Sequence, residues 1–130
     1  MAGHTIKNLK EIDDAAPGFG MAPQVEARFG RGPLECEKIG LSYERLAPNA
    51  RMPFGHKHAN QEEVYVVLSG SGRVKIEDEI HDVHEFDAIR IGTDTMRNFE
   101  AGPDGLELIA FGAPTGPEDD SELVHGWWTD

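Results

Sequence analysis

Between residues 39 and 111 the apolar side chains come in short runs of strand length, each closed by small or turn-forming residues. The clearest is Glu63-Val64-Tyr65-Val66-Val67-Leu68, rich in β-branched and aromatic residues and ended by Ser69-Gly70-Ser71-Gly72. The same pattern predicts strands over 39–46, 52–58, 64–68, 73–77, 88–91, 97–101 and 106–111. The segments Ser69-Gly70-Ser71-Gly72 and Gly102-Pro103-Asp104-Gly105 read as turns between them. No long amphipathic helix and no internal repeat interrupts this order, so the expected class is all-β.

The ends differ from the middle. Residues 1–30 carry Ile6, Leu9 and Ile12 at near-helical spacing and then Pro17-Gly18-Phe19-Gly20, and read as an N-terminal arm. Residues 31–115 read as the β-barrel. Residues 116–130 read as a tail whose Pro117-Glu118-Asp119-Asp120-Ser121 is a solvated acidic linker and whose Leu123, Val124, Trp127 and Trp128 form an apolar anchor.

Strand alternation assigns faces. If Glu63 points into the barrel, Tyr65 and Val67 do too, while Val64, Val66 and Leu68 point outward. Three outward aliphatics need a cover, from the chain's own arm or tail or from a second copy; the expectation is a homodimer.

The chemistry concentrates in His56-Lys57-His58, followed after four residues by Glu63 and after six more by Gly70. On an extended strand His56 and His58 share a face, and a fold-back of the next strand would bring the Glu63 carboxylate beside them. Two imidazoles and a carboxylate suit a divalent metal: iron, manganese, nickel, zinc or copper. Alternation lets only one of Glu62 and Glu63 point inward, and the six-residue spacing to Gly70 selects Glu63; Gln61 is a weak oxygen alternative. His81 and His84 lie in an acidic hairpin and are expected to be exposed. Met52 and Met96 read as packing, and Tyr43, Arg45, Phe99 and Arg90 as packing or sheet-face residues.

The spacing His56-x-His58, Glu63, Gly70 resembles the first motif of the cupin superfamily. The resemblance covers roughly residues 41–111, including Glu-Val-Tyr-Val-Val-Leu-Ser-Gly and Gly-Pro-Asp-Gly-Leu-Glu-Leu. It implies a small single-domain cupin with a double-stranded β-helix, or jelly-roll barrel. Asn49-Ala50 stands where the family has a glycine before the histidines. In the second motif Phe86 replaces the first glycine, Gly92 the proline and Asp94 the second glycine, Ala101 stands where asparagine is common, and Arg97 takes the place of the histidine that completes the family's metal site.

A guanidinium has no lone pair to give, so Arg97 cannot be a ligand. Two readings follow. In one, His56, His58 and Glu63 hold a metal and Arg97, with Tyr65, orients a small anionic substrate for dioxygenase- or isomerase-like chemistry. In the other, no metal is bound: Arg97 neutralises Glu63, and the barrel binds a small metabolite or serves assembly.

Charge narrows the partners. Lys and Arg total 12 against 24 for Asp and Glu, a net charge of −12 that repels nucleic acid and anionic membranes, so neither is an expected partner and a small-molecule ligand is. No stretch is long and apolar enough to span a bilayer, and Met1-Ala2-Gly3-His4-Thr5 opens no hydrophobic signal region, so the expected location is cytoplasmic. Cys36, the single cysteine, suits a reducing compartment and reads as a small core residue.

Overall fold

The computed structural model describes residues 3–116 and 118–130. Met1 and Ala2, where the signal-region reading begins, and Pro117, the first residue of the expected linker, lie outside them. Among the described residues eight strands form one curled sheet: β1 (Val25–Phe29), β2 (Gly40–Leu46), β3 (Phe54–His58), β4 (Glu62–Ile76), β5 (Glu79–His84), β6 (Ala88–Ile91), β7 (Arg97–Ala113) and β8 (Ser121–His125). They run in the order β1-β2-β7-β3-β8, while β4 pairs with β5, β6 and β7. This is the all-β class expected from the strand pattern, in the jelly-roll architecture that the resemblance implies.

Strands β4 and β7 are the spine. Each joins two of the expected strands across a segment that reads as a turn, and the glycines explain how. A Cβ on Gly70 would lie 2.1 Å from the Gly105 carbonyl oxygen, and one on Gly72 would lie 2.1 Å from the Glu100 carbonyl oxygen. Gly70 and Gly105 both have φ near +80°. The glycines therefore let two long strands bend together at close range, and the register shifts between Val67 and Ser69 and between Gly70 and Gly72 mark the bend. The turn reading of both segments is corrected accordingly.

The core follows the predicted alternation. Tyr65, Val67 and Val74 of β4 are buried with Phe99, Ala101, Leu106, Leu108 and Ala110 of β7 and Leu46 of β2. Each such aliphatic contributes roughly 1.5–3 kcal/mol relative to exposure. Val64 and Val66 lie on the other face, half-buried opposite Phe111 and Ile109, and Leu68 is exposed.

The ends are less peripheral than their composition suggests. In the N-terminal arm the spacing of Ile6, Leu9 and Ile12 yields only a short 3-10 turn at Leu9–Glu11, and Ile6 is exposed. The second half of the arm joins the core: Ala16, Met21, Val25 and Ala27 are buried, and β1 pairs with β2 from Val25 opposite Leu46 to Phe29 opposite Ser42. At the other end, β8 adds an antiparallel strand to β3. The tryptophan anchor follows it. Trp128 is buried with the guanidinium groups of Arg51 and Arg73 at 4.2 and 5.1 Å from its ring, and Trp127 packs on Gly55. Cys36 is only partly buried, in the turn after β1, rather than a core residue.

Candidate functional site

Strand β3 presents His56 and His58 on one face, their rings 5.2 Å apart and perpendicular. Strand β4 brings Glu63 to them: its Oε1 lies 3.9 Å from His56 Nε2 and 4.0 Å from His58 Nε2. The three donor atoms all fall within 4.8 Å of one another, as their spacing on two neighbouring strands predicts. Bonds of roughly 2.1 Å would hold neighbouring donors about 3 Å apart, so a cation would draw these groups together.

Behind the triad lies Arg97, with its side chain 0% exposed. Its Nη2 donates to Glu63 Oε1 at 2.7 Å, its Nη1 to the Thr95 carbonyl at 2.9 Å, and its Nε to the Tyr65 hydroxyl at 3.2 Å. The guanidinium does not line the cavity; it faces the cavity only through Glu63. Arg97 thus occupies the place expected from the motif but spends its donors inside the protein. Tyr65 lines the cavity wall while its hydroxyl meets Arg97.

The electrostatics follow from this packing. Burial alone would raise the Glu63 carboxyl, but the His56 and Tyr65 groups beside it and the Arg97 guanidinium more than offset that and hold it at about 2. Burial, reinforced by Arg97 and His58, lowers His56, which keeps its imidazole neutral and its lone pair available. Tyr65 is pushed well up, first by burial and then by the Glu63 charge, and stays a phenol.

Residues that sequence reasoning placed elsewhere complete the site. Asp120, expected in a solvated linker, has its Oδ1 2.7 Å from His58 Nδ1, while its Oδ2 accepts the backbone N–H groups of Asn60 at 2.8 Å and Gln61 at 3.1 Å. With Nδ1–H directed at Asp120, the lone pair of His58 sits on Nε2, the nitrogen that faces Glu63. The linker reading is therefore corrected: the tail returns to the site, and Asp119, Ser121 and Leu123 line its cavity. The chain separation of 62 residues between His58 and Asp120 left no local signal. Glu44 was within reach of sequence reasoning, because alternation on β2 puts Ser42, Glu44 and Leu46 on the inner face. Its carboxyl lines the cavity without an ion pair or side-chain hydrogen bond among the described residues, and burial together with the Glu63 charge pushes it up to about 7.

The cavity has a volume of about 350 Å³. Met21, Phe29, Leu41, Met52 and Phe54 give it largely apolar walls, and Gln61, buried and cavity-lining, is a polar neighbour of the triad. Of the other residues weighed from sequence, Tyr43 bonds Glu107 outside the cavity and His81 and His84 are exposed. The donor set fits a divalent cation: two imidazoles with available lone pairs, one carboxylate kept ionised, and a second carboxylate fixing one ring.

The family model described as a cupin domain matches residues 42–110. No curated protein matches the chain by sequence. Similar solved structures include a cupin protein from Bacteroides fragilis at 22% identity, covering 92% of this chain and 91% of that one with a TM-score of 0.72. The Streptomyces nucleoside dehydratase Pac13 shares 14% identity, with 93% and 91% covered and a TM-score of 0.74. Oxalate decarboxylase from Bacillus subtilis shares 21% identity over 92% of this chain but only 33% of its own, with a TM-score of 0.74. At these identities the likeness is one of fold.

Proposed function

The chain belongs to the cupin family, and from that premise we propose that its cavity is the active site of a small metal-dependent enzyme acting on a small anionic organic substrate. His56, His58 and Glu63 would hold the divalent cation, leaving positions open for water and substrate. The observation that supports this most is the convergence of their three donor atoms in the wall of a largely apolar cavity, with Asp120 fixing His58 in the ligating tautomer. A bound cation would act as a Lewis acid on a substrate oxygen or lower the pKa of a bound water.

The chain's own residues then divide the work. Arg97 acts through Glu63 rather than on substrate: it keeps the carboxylate ionised and fixed, and Tyr65 orients the guanidinium. Glu44, facing the same space with a carboxyl near neutrality, is placed to accept or return a proton in the cavity. Relatives of this fold include a decarboxylase and a dehydratase, which fits a cavity adapted to several chemistries and does not choose among them.

A metal-free binding pocket is the second reading, and one observation favours it. The Arg97–Glu63 pair satisfies the buried carboxylate without a cation, and a metal bound through Oε1 would share that oxygen with a guanidinium 2.7 Å away. Elemental analysis of untagged protein purified without chelators, beside His56→Ala prepared identically, separates the two. Near-stoichiometric metal that disappears in the variant is the expected result. Metal absent from both after reconstitution overturns the enzyme reading in favour of the pocket.

A further inference from the structure

With Arg97 withdrawn behind Glu63, the anionic group of a substrate needs another partner. The cavity offers one. Arg31 is the single Lys or Arg among the residues that line it. It follows β1 directly and sits in a turn pinned by Gly30 N–H to the Leu41 carbonyl at 2.7 Å and Cys36 N–H to the Arg31 carbonyl at 3.0 Å. The backbone is thus fixed in the cavity wall, close in sequence to Phe29, which also lines it.

The Arg31 side chain is unlike every other guanidinium here. Arg28, Arg45, Arg51, Arg73, Arg90 and Arg97 each reach a carboxylate within 4.0 Å. Arg31 reaches none among the described residues, and its Nε is buried without a hydrogen-bond partner. A buried N–H of a permanently charged group left unpaired carries its full desolvation cost. Two of the cavity's three acids are engaged elsewhere: Glu63 with Arg97, and Asp119 with the Ser121 backbone and hydroxyl. Glu44 lies in the same cavity but forms no ion pair with Arg31.

We propose that Arg31 is the residue that binds the substrate's anionic group, and that the substrate is a small monocarboxylate with an apolar body. The carboxylate pairs with the Arg31 guanidinium, and the body lies against Met21, Phe29, Phe54 and Leu123. A single guanidinium set in apolar walls suits one planar carboxylate better than a phosphate, which calls for several donors. The inference rests on the reading of this cavity as a substrate site, but not on the metal.

The test is calorimetric titration of the full-length, metal-stripped protein with hexanoate and 3-phenylpropanoate, and with their neutral amides, at up to millimolar concentration. The carboxylates are expected to bind the parent about tenfold or more tighter than the amides, a gap that Arg31→Gln abolishes and Arg31→Lys partly keeps. Circular dichroism checks that both variants fold. No preference for carboxylate in the parent, or a preference that survives Arg31→Gln, overturns the proposal; so does phenyl phosphate binding more tightly than either carboxylate. Because the metal is removed first, the gap can appear in a protein that never takes up metal. It can equally be missing from one that does, so the two readings fail separately.

Discussion

Two sets of residues around one cavity handle charge in opposite ways. Around the triad every charge has a partner: Arg97 spends donors on Glu63, Thr95 and Tyr65, and Asp120 ties His58 to the Asn60 and Gln61 backbone. Elsewhere on the same walls Arg31 has no carboxylate and Glu44 has no cation. Two carboxyls in the same space are consequently pushed apart, Glu63 to about 2 and Glu44 to about 7. A closed network holds groups in place, whereas groups left without partners are available to a ligand. The contrast divides the residues that build this site from those that meet what enters it.

The largest effect expected from this contrast is on stability. Arg97→Ala strips a buried carboxylate of its partner and should cost about 3–5 kcal/mol in metal-free protein. Arg31→Ala removes a buried N–H that pairs with nothing and should leave stability unchanged or raise it by about 1 kcal/mol. Urea unfolding of both variants measures the difference. Similar costs would mean that Arg31 is as tightly built in as Arg97, and the division would be lost.

That division also explains how much was legible beforehand. His56, His58, Glu63 and Tyr65 were readable because two-residue alternation on neighbouring strands fixes which way they point, and the structure places them together. Arg97 was readable as a position with two roles left open, substrate contact or partner to Glu63, and only the direction of its donors shows the ion pair. The joins within β4 and β7 were missed because glycine serves turns and close strand approach alike, and only the carbonyls of Gly105 and Glu100 distinguish the two. Asp120 was missed for a further reason: its place depends on β8 pairing with β3, a long-range contact carried by an acidic segment with the composition of a linker. Arg31 could not have been found, because its significance is the lack of a partner, which exists only in three dimensions.

A second way to probe the partnered set is through Asp120. Asp120→Asn keeps the side chain's size but removes the charge and one of the two acceptor oxygens, so it cannot serve His58, Asn60 and Gln61 together. Metal affinity should fall about ten- to a hundredfold by competition with a chromophoric chelator. Nitrogen NMR of the metal-free variant should show the His58 proton distributed between Nδ1 and Nε2 rather than held on Nδ1. Unchanged affinity with an unchanged tautomer would make Asp120 a fastener for the tail and nothing more.

The smallest expected effect concerns Glu44, and its sign sets it apart from Glu63. The Glu63 carboxyl lies below its ordinary value of 4.5 when folded, so its stabilisation is present above pH 4.5 and is lost as pH falls towards 2. Glu44 lies above the same ordinary value, so between pH 4.5 and about 7 the unfolded chain releases a proton that the folded chain keeps. Its contribution therefore grows less favourable through that window and is constant above it. Glu44→Gln in metal-free protein should remove this decline and gain about 1–2 kcal/mol over the parent at pH 8 relative to pH 4.5, after allowance for water reaching an open cavity. Denaturant titrations across the window measure it. Parallel profiles for variant and parent would mean that Glu44 is solvated like a surface carboxylate, and the proton-transfer role proposed for it would fall with its raised pKa.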